Sequence, residues 1–303
     1  MKRVRFVSVL ALLVAGASLA TRGTPDPYVS LSSVVDLWTD TLRDTDQIGM
    51  KLTRLSDAEE MKIGSDLARG MGAGDAAAAE YVKEVAQPLL PHIRRHGIRY
   101  EFHVLDSPQI NAFALPGGQI FVMRGLLDFV ESEAELSAVI GHEISHVDLR
   151  HCIERYQYEA KLNKVGMPEL GSMVEIAHRL ATFGFSPEQE LDADAQGERM
   201  NIAAGYDPDA AVALFLRMKV KFHEPSREHV TTPAGEVTQA AGEALGSYFR
   251  SHPPSEERSH RLADQVQRHR DSLAGQSFYV GKQNLRERTA KSRRRYPDEF
   301  HQY

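Results

Sequence analysis

Cysteine is almost absent: Cys152 is the single one in 303 residues, so no internal disulfide can brace the chain. Such a protein is held by its apolar core, by a metal, or by both. An excess of positive charge is missing too; the formal net charge is −6, which gives no case for a nucleic-acid partner. Repeats at solenoid periods are absent. Beyond residue 20 no apolar run is long enough to span a bilayer. The clustered histidines or cysteines of a zinc-storage protein are also lacking. What remains is an ordinary globular composition, 42% hydrophobic and 26% charged, on a chain with room for one large domain or two small ones.

The N-terminus departs from that composition. Lys2, Arg3 and Arg5 precede an apolar run over 6–20, with small residues at Ala15-Gly16-Ala17 and Ser18-Leu19-Ala20. This is the pattern of a secretory signal peptide, 1–20, and its apolar stretch of about 15 residues falls short of the roughly 20 a spanning helix needs. The expectation is an exported, periplasmic protein, with an uncleaved inner-membrane anchor as the alternative.

Residues 21–55, with Trp38, read as a linker and one helix. Ser56 with Glu59 three residues on is a capping box that predicts a helix to about Gly70. Helical spacing resumes over 76–96 and is interrupted by Pro88 and Pro91. Tyr100, Phe102 and Val104 alternate with polar residues as in a half-buried strand, and 110–115 and 119–123 are two more strands flanking Pro116-Gly117-Gly118. Further helices are expected over 131–151, 173–183, 187–204, 209–220 and 253–273. The 221–251 stretch reads as a polar loop that could cover the site, and the basic end, 275–303, as a solvated, poorly ordered tail. The fold class is α+β: mostly helical, with a small sheet before the 131–151 helix.

That helix carries Gly141-His142-Glu143-Ile144-Ser145-His146. Histidines four apart share one helical face, so His142 and His146 can hold one Zn²⁺, with Glu143 beside them as general base. A catalytic zinc needs a third protein ligand. The metzincin spacing would put Gly at 149 and His at 152; Leu149 and Cys152 stand there instead. Leu149 predicts that the helix continues and carries Cys152 away from the metal, as a packing residue. A second acidic helix offers Glu190 and Asp194 on one face, the first as a ligand and the second to orient a ligand histidine.

Five motifs in register carry a resemblance: Asn111-Ala112-Phe113-Ala114-Leu115-Pro116-Gly117-Gly118, the His142–His146 box, Ser186 to Asp194, Ala204-Gly205-Tyr206-Asp207-Pro208, and Ser251-His252-Pro253 with Arg258. Together, over about 56–270, they resemble the gluzincin metalloendopeptidases that include the HtpX proteases, the CAAX prenyl proteases and the soluble periplasmic BepA-like enzymes. The resemblance implies a zincin-like fold and one zinc per chain on His142, His146 and Glu190, with Glu143 as base and Asp194 as partner of a ligand. It places His252 close to the active site, to bind the transition state or to fill zinc's open position in a latent form. It also implies that the 110–115 edge strand holds an extended polypeptide, a segment of an unfolded or misassembled envelope protein, by strand addition. Pro187 departs from the arginine common in the family. The rival expectation is a chaperone-like or latent protein that keeps the fold and holds clients. Peripheral membrane contact through the basic end is a further expectation; oligomeric state stays open.

Overall fold

Ser56 begins the first helix with both halves of its capping box made: its hydroxyl accepts from the Glu59 N–H, and Glu59 accepts from the Ser56 N–H at 2.8 Å. In this computed structural model the described residues are 55–72, 74–164, 173–182, 184–221, 252, 260–261, 263–264, 267–268 and 272–303. The expected leader, the linker with Trp38, Arg258 and nearly all of the 221–251 loop lie outside them, and the 253–273 helix does so in large part.

Helix α1 spans Asp57–Ala68 and α2 spans Ala76–Ala86. Asp75 caps α2 by accepting from the N–H groups of Ala77 and Ala78, and the prolines end it in a turn and a 3-10 segment, Leu90–His92. Three strands follow: β1 Glu101–Leu105, β2 Ala112–Leu115 and β3 Gln119–Met123. The central one is β3, parallel to β1 and antiparallel to β2, which leaves β2 at an edge. Between β2 and β3 the chain reverses at Gly117 and Gly118, with φ of 73° and 89°. A Cβ on Gly117 would lie 2.5 Å from the Met61 Cα, so this turn needs glycine both for its φ and for its space against α1.

Both faces of the sheet are covered. Ala112, Ala114, Ile120 and Val122 face the main core. Phe113, Leu115, Phe121 and Met123 form a second cluster with Leu67 of α1 and with Ile176 and Leu180 of a later helix. A short helix α3, Arg124–Phe129, leads to α4, Glu133–Asp148, the centre of the described unit. Every residue of α4 except Ala138 is buried. Around it in the described unit come α5 His151–Lys164, α6 Met173–Thr182, α7 Pro187–Ala203 and α8 Asp209–Lys221. The architecture is the expected zincin-like α+β arrangement. Among the described residues no helix is long and apolar enough to cross a membrane.

Two expectations are corrected. The helix does not run on past Leu149: α4 ends at Asp148, Arg150 takes a left-handed φ of 70°, and α5 starts afresh at His151. Tertiary contacts hold the turn, since Arg150 donates to the Leu55 carbonyl at 2.8 Å and lies 3.6 Å from Asp57. Cys152 is buried by the sheet, its Sγ 3.6 Å from the Ala114 carbonyl. The basic end is not a solvated tail either. Ser277–Tyr279 (β4) pairs with Phe300–Gln302 (β5), and Lys282–Glu287 (α9) lies between them. Phe278, Tyr279, Leu285 and Ala290 are buried, and the Lys291 N–H donates to Glu133 at the start of α4. The charges of Arg293 and Arg294 stay at the surface while the apolar residues between them and β4 pack inward.

Candidate metal centre

One turn apart on α4, His142 and His146 bring their Nε2 atoms within 3.0 Å. The opposite wall is α7, whose Ser186 forms a second capping box with Gln189 and whose Pro187 occupies the first turn, where a missing N–H costs nothing. The two helices approach closely because glycine faces glycine. A Cβ on Gly197 would lie 3.0 Å from the His142 backbone nitrogen, and one on Gly141 would lie 2.8 Å from the Asn201 side chain. Asn201 then ties the crossing, accepting from Ser137 and donating to the Gly197 carbonyl.

This approach brings the acidic face of α7 to the histidines. The two oxygens of Glu190 lie 3.5 Å from Nε2 of His142 and of His146. One turn on, Asp194 puts a carboxylate oxygen 2.9 Å from Nδ1 of His142. His252 enters from a distant point in the chain: its Nδ1 lies 3.1 Å from both His142 Nε2 and Glu190, and its Nε2 lies 3.2 Å from Glu143. Ligand atoms of His142, His146, Glu190 and His252 all fall within 4.8 Å of one another, and all four residues are buried. Three imidazoles and one carboxylate converging out of water form a donor set suited to a borderline-soft divalent cation. The residues present therefore fit a metal, and Glu143 sits fully buried beside them without being one of the four.

The electrostatics are those of side chains sharing a dry space. Burial opposes charge on His142, but Asp194 and Glu190 outweigh it and hold its pKa above the ordinary value. Burial pushes His146 down to about 3 despite its Glu190 contact. His252, buried but between Glu190 and Glu143, is pushed up to about 10. These shifts belong to the protein side chains alone; a bound cation would bring its own, larger charge to the same imidazoles.

Every expected site residue, His142, Glu143, His146, Glu190, Asp194 and His252, is brought into this one cluster. Two neighbours had no sequence signal. His151 sits Nδ1 to Nδ1 with His146 at 3.0 Å. The Phe185 ring stacks on His146 at 3.7 Å between centroids. Both contacts come from tertiary structure, the first from the turn at Arg150 and the second from the approach to α7. His103 is remote from the cluster, stacked on Phe121 and paired with Gln119.

Comparison with known proteins gives a consistent picture. The model of peptidase family M48 matches residues 76–266. A relative from Arabidopsis thaliana, mitochondrial metalloendopeptidase OMA1, is 34% identical over 175 residues, covering 55% of this chain and 32% of the relative. The Schizosaccharomyces pombe protein of the same name is 32% identical over 145 residues, covering 46% and 43%. The beta-barrel assembly-enhancing protease of Escherichia coli K12 is 28% identical over 179 residues, covering 52% and 37%. The match thus takes in less than half the length of each of these relatives.

Proposed function

The chain belongs to peptidase family M48, and from that premise we propose that it is a zinc metalloendopeptidase in which His142, His146 and Glu190 hold the metal and Glu143 is the general base. The observation that carries the reading is the convergence of those three residues in one buried cluster with a second carboxylate, Glu143, beside it. Zinc held there would lower the pKa of a water and polarise the scissile carbonyl. Glu143 takes the proton of the attacking water and passes it to the leaving amine. Asp194 accepts the Nδ1 proton of His142 and fixes that ring with its Nε2 turned to the cluster. Burial keeps competing water away from Glu143.

The proposed substrate is a polypeptide held extended along β2. In support, β2 pairs with β3 on one side and lies at an edge of the sheet. The proposed clients are unfolded or misassembled envelope proteins, and the proposed route is export by the 1–20 leader. The leader-like sequence and the printed name of the E. coli relative support that compartment; the mitochondrial names of other relatives set a rival address beside it. Peripheral association with a membrane is the finer proposal for the basic end.

A second reading has its own observation. His252 lies against His142, Glu190 and Glu143 together. A protein at rest with His252 as fourth ligand would be latent, or would hold clients without cutting them. His252→Ala separates the roles, since peptidase activity rises if His252 blocks the site and falls if it binds the transition state. Zinc uptake tests the main reading. Equilibrium dialysis is expected to give one zinc per chain, lost in His146→Ala and kept in Glu143→Gln; a wild type that takes up none would overturn it.

A further inference from the structure

We propose that His151 is a positioning residue for His146: it accepts the Nδ1 proton of that ring and so fixes the form whose Nε2 lone pair faces the cluster. The inference rests on the metallopeptidase reading above and deepens it. Both rings are buried and meet Nδ1 to Nδ1 at 3.0 Å. Two neutral imidazole nitrogens that meet at that distance with no cation to bind both lone pairs share one proton, so one ring donates and the other accepts. The direction follows from the other end of His146. Its Nε2 lies 3.0 Å from His142 Nε2 and 3.5 Å from Glu190, and is the atom turned to the cluster. A nitrogen that ligates must offer its lone pair, so the proton of His146 resides on Nδ1 and the acceptor is Nδ1 of His151.

The local fold is built to deliver this contact. A continuous helix would carry residue 151 away from residue 146 along the same axis. The left-handed Arg150 breaks the axis, and its guanidinium is tied down at Leu55 and Asp57, so the turn is pinned to the start of α1. Phe185 closes the ring's rotation with a stack at 3.7 Å and 14°. Arg155, one turn along α5, holds its guanidinium 5.3 Å from the Phe185 ring. His146 is thereby fixed by a hydrogen bond and a ring stack, as His142 is by Asp194.

The test compares His151→Leu, which removes the acceptor, with His151→Asn, whose side-chain oxygen can replace it. Zinc affinity is read by competition with a chromophoric chelator, and folding by near-ultraviolet circular dichroism. The expected result is a loss of zinc affinity of about 10–100-fold in His151→Leu, with His151→Asn staying within a few-fold of wild type. Imidazole nitrogen-15 shifts of the zinc-loaded wild type give a readout that needs no variant; Nδ1 of His151 is expected to carry no proton. Wild-type affinity in His151→Leu, equal losses in both variants, or a proton on His151 Nδ1 would each overturn the proposal. A wild type that binds no zinc would bring down the peptidase reading with it, whereas normal binding in wild type and His151→Leu alike would remove this inference alone.

Discussion

Replacing Arg95 with methionine should destabilise the domain by about 3–4 kcal/mol, because it strands a carboxylate that has no access to water. Glu60 is 0% exposed, and its principal cationic partner is the Arg95 guanidinium. Arg95 also reaches Asp57 at 2.7 Å and the Val147 carbonyl, near the end of α4, at 2.7 Å. With Arg95 gone, Glu60 keeps the Gly117 N–H at 3.2 Å and the Arg150 guanidinium, whose nearest nitrogen is 3.9 Å away. Breaking a buried pair from one side costs about 3–5 kcal/mol, and losing a donor to a carbonyl adds about 1 kcal/mol. The residual pull of Arg150 offsets part of this. For a domain of this size each kcal/mol moves Tm by about 2–4 °C, so the loss should appear as a fall of about 6–16 °C. Urea unfolding of wild type, Arg95→Met, Glu60→Gln and the double variant forms the assay. The double variant should recover more than half of the single loss, since it removes the stranded charge. A single loss under about 1 kcal/mol, or additive effects in the cycle, would refute the claim that this ion pair fastens α1 and the glycine turn to α4.

Three further outcomes follow from the same contacts. Gly197→Ala forces a Cβ to 3.0 Å from the His142 backbone nitrogen and should cost about 1–3 kcal/mol while weakening zinc binding by spreading α4 from α7; dialysis and a melting curve on one sample check both effects. Burial, aided by Arg295 and opposed by Glu133, pushes Lys291 down to about 7 from 10.5. Between those values the unfolded chain binds a proton that the folded chain does not, so stability should rise with pH above about 7, by at most about 1.4 kcal/mol per unit. The Tyr206 ring under the amine keeps the slope below that ceiling, and Lys291→Met should flatten it in urea titrations from pH 7 to 9.5. Asp194→Asn keeps the size of the His142 partner but lets its amide favour the wrong imidazole form; zinc affinity should drop by about 10–100-fold with little change in Tm. An unchanged affinity would remove Asp194 from the site.

Where a residue's neighbours are set by local periodicity, the sequence was readable. Two histidines four apart on a helix must share a face, and Glu190 and Asp194 four apart must share another, so the two halves of the cluster were legible in the sequence. So were the capping box at Ser56 and the strands beside the glycine turn. What brings the halves together was not, because the small surfaces of Gly141 and Gly197 matter only once the helices cross. The turn at Arg150 was hidden for a similar reason. Leu149 and Arg150 carry no glycine to mark a left-handed residue, and the conformation is held by Leu55 and Asp57, some 95 positions away in the case of Leu55. The 275–303 segment misled through its composition. Its arginines suggest solvent, yet Tyr279, Leu285 and Ala290 pack inward and the Lys291 backbone seals Glu133 at the start of α4.

The most direct test of the central claim is cleavage of an unstructured protein by the wild-type chain, beside Glu143→Gln, each with and without a zinc chelator. The account predicts cleavage by the wild type, its loss on chelation and return with added zinc, and no cleavage by Glu143→Gln even though that variant still binds one zinc. Undiminished cleavage by Glu143→Gln or by the chelated enzyme would contradict it.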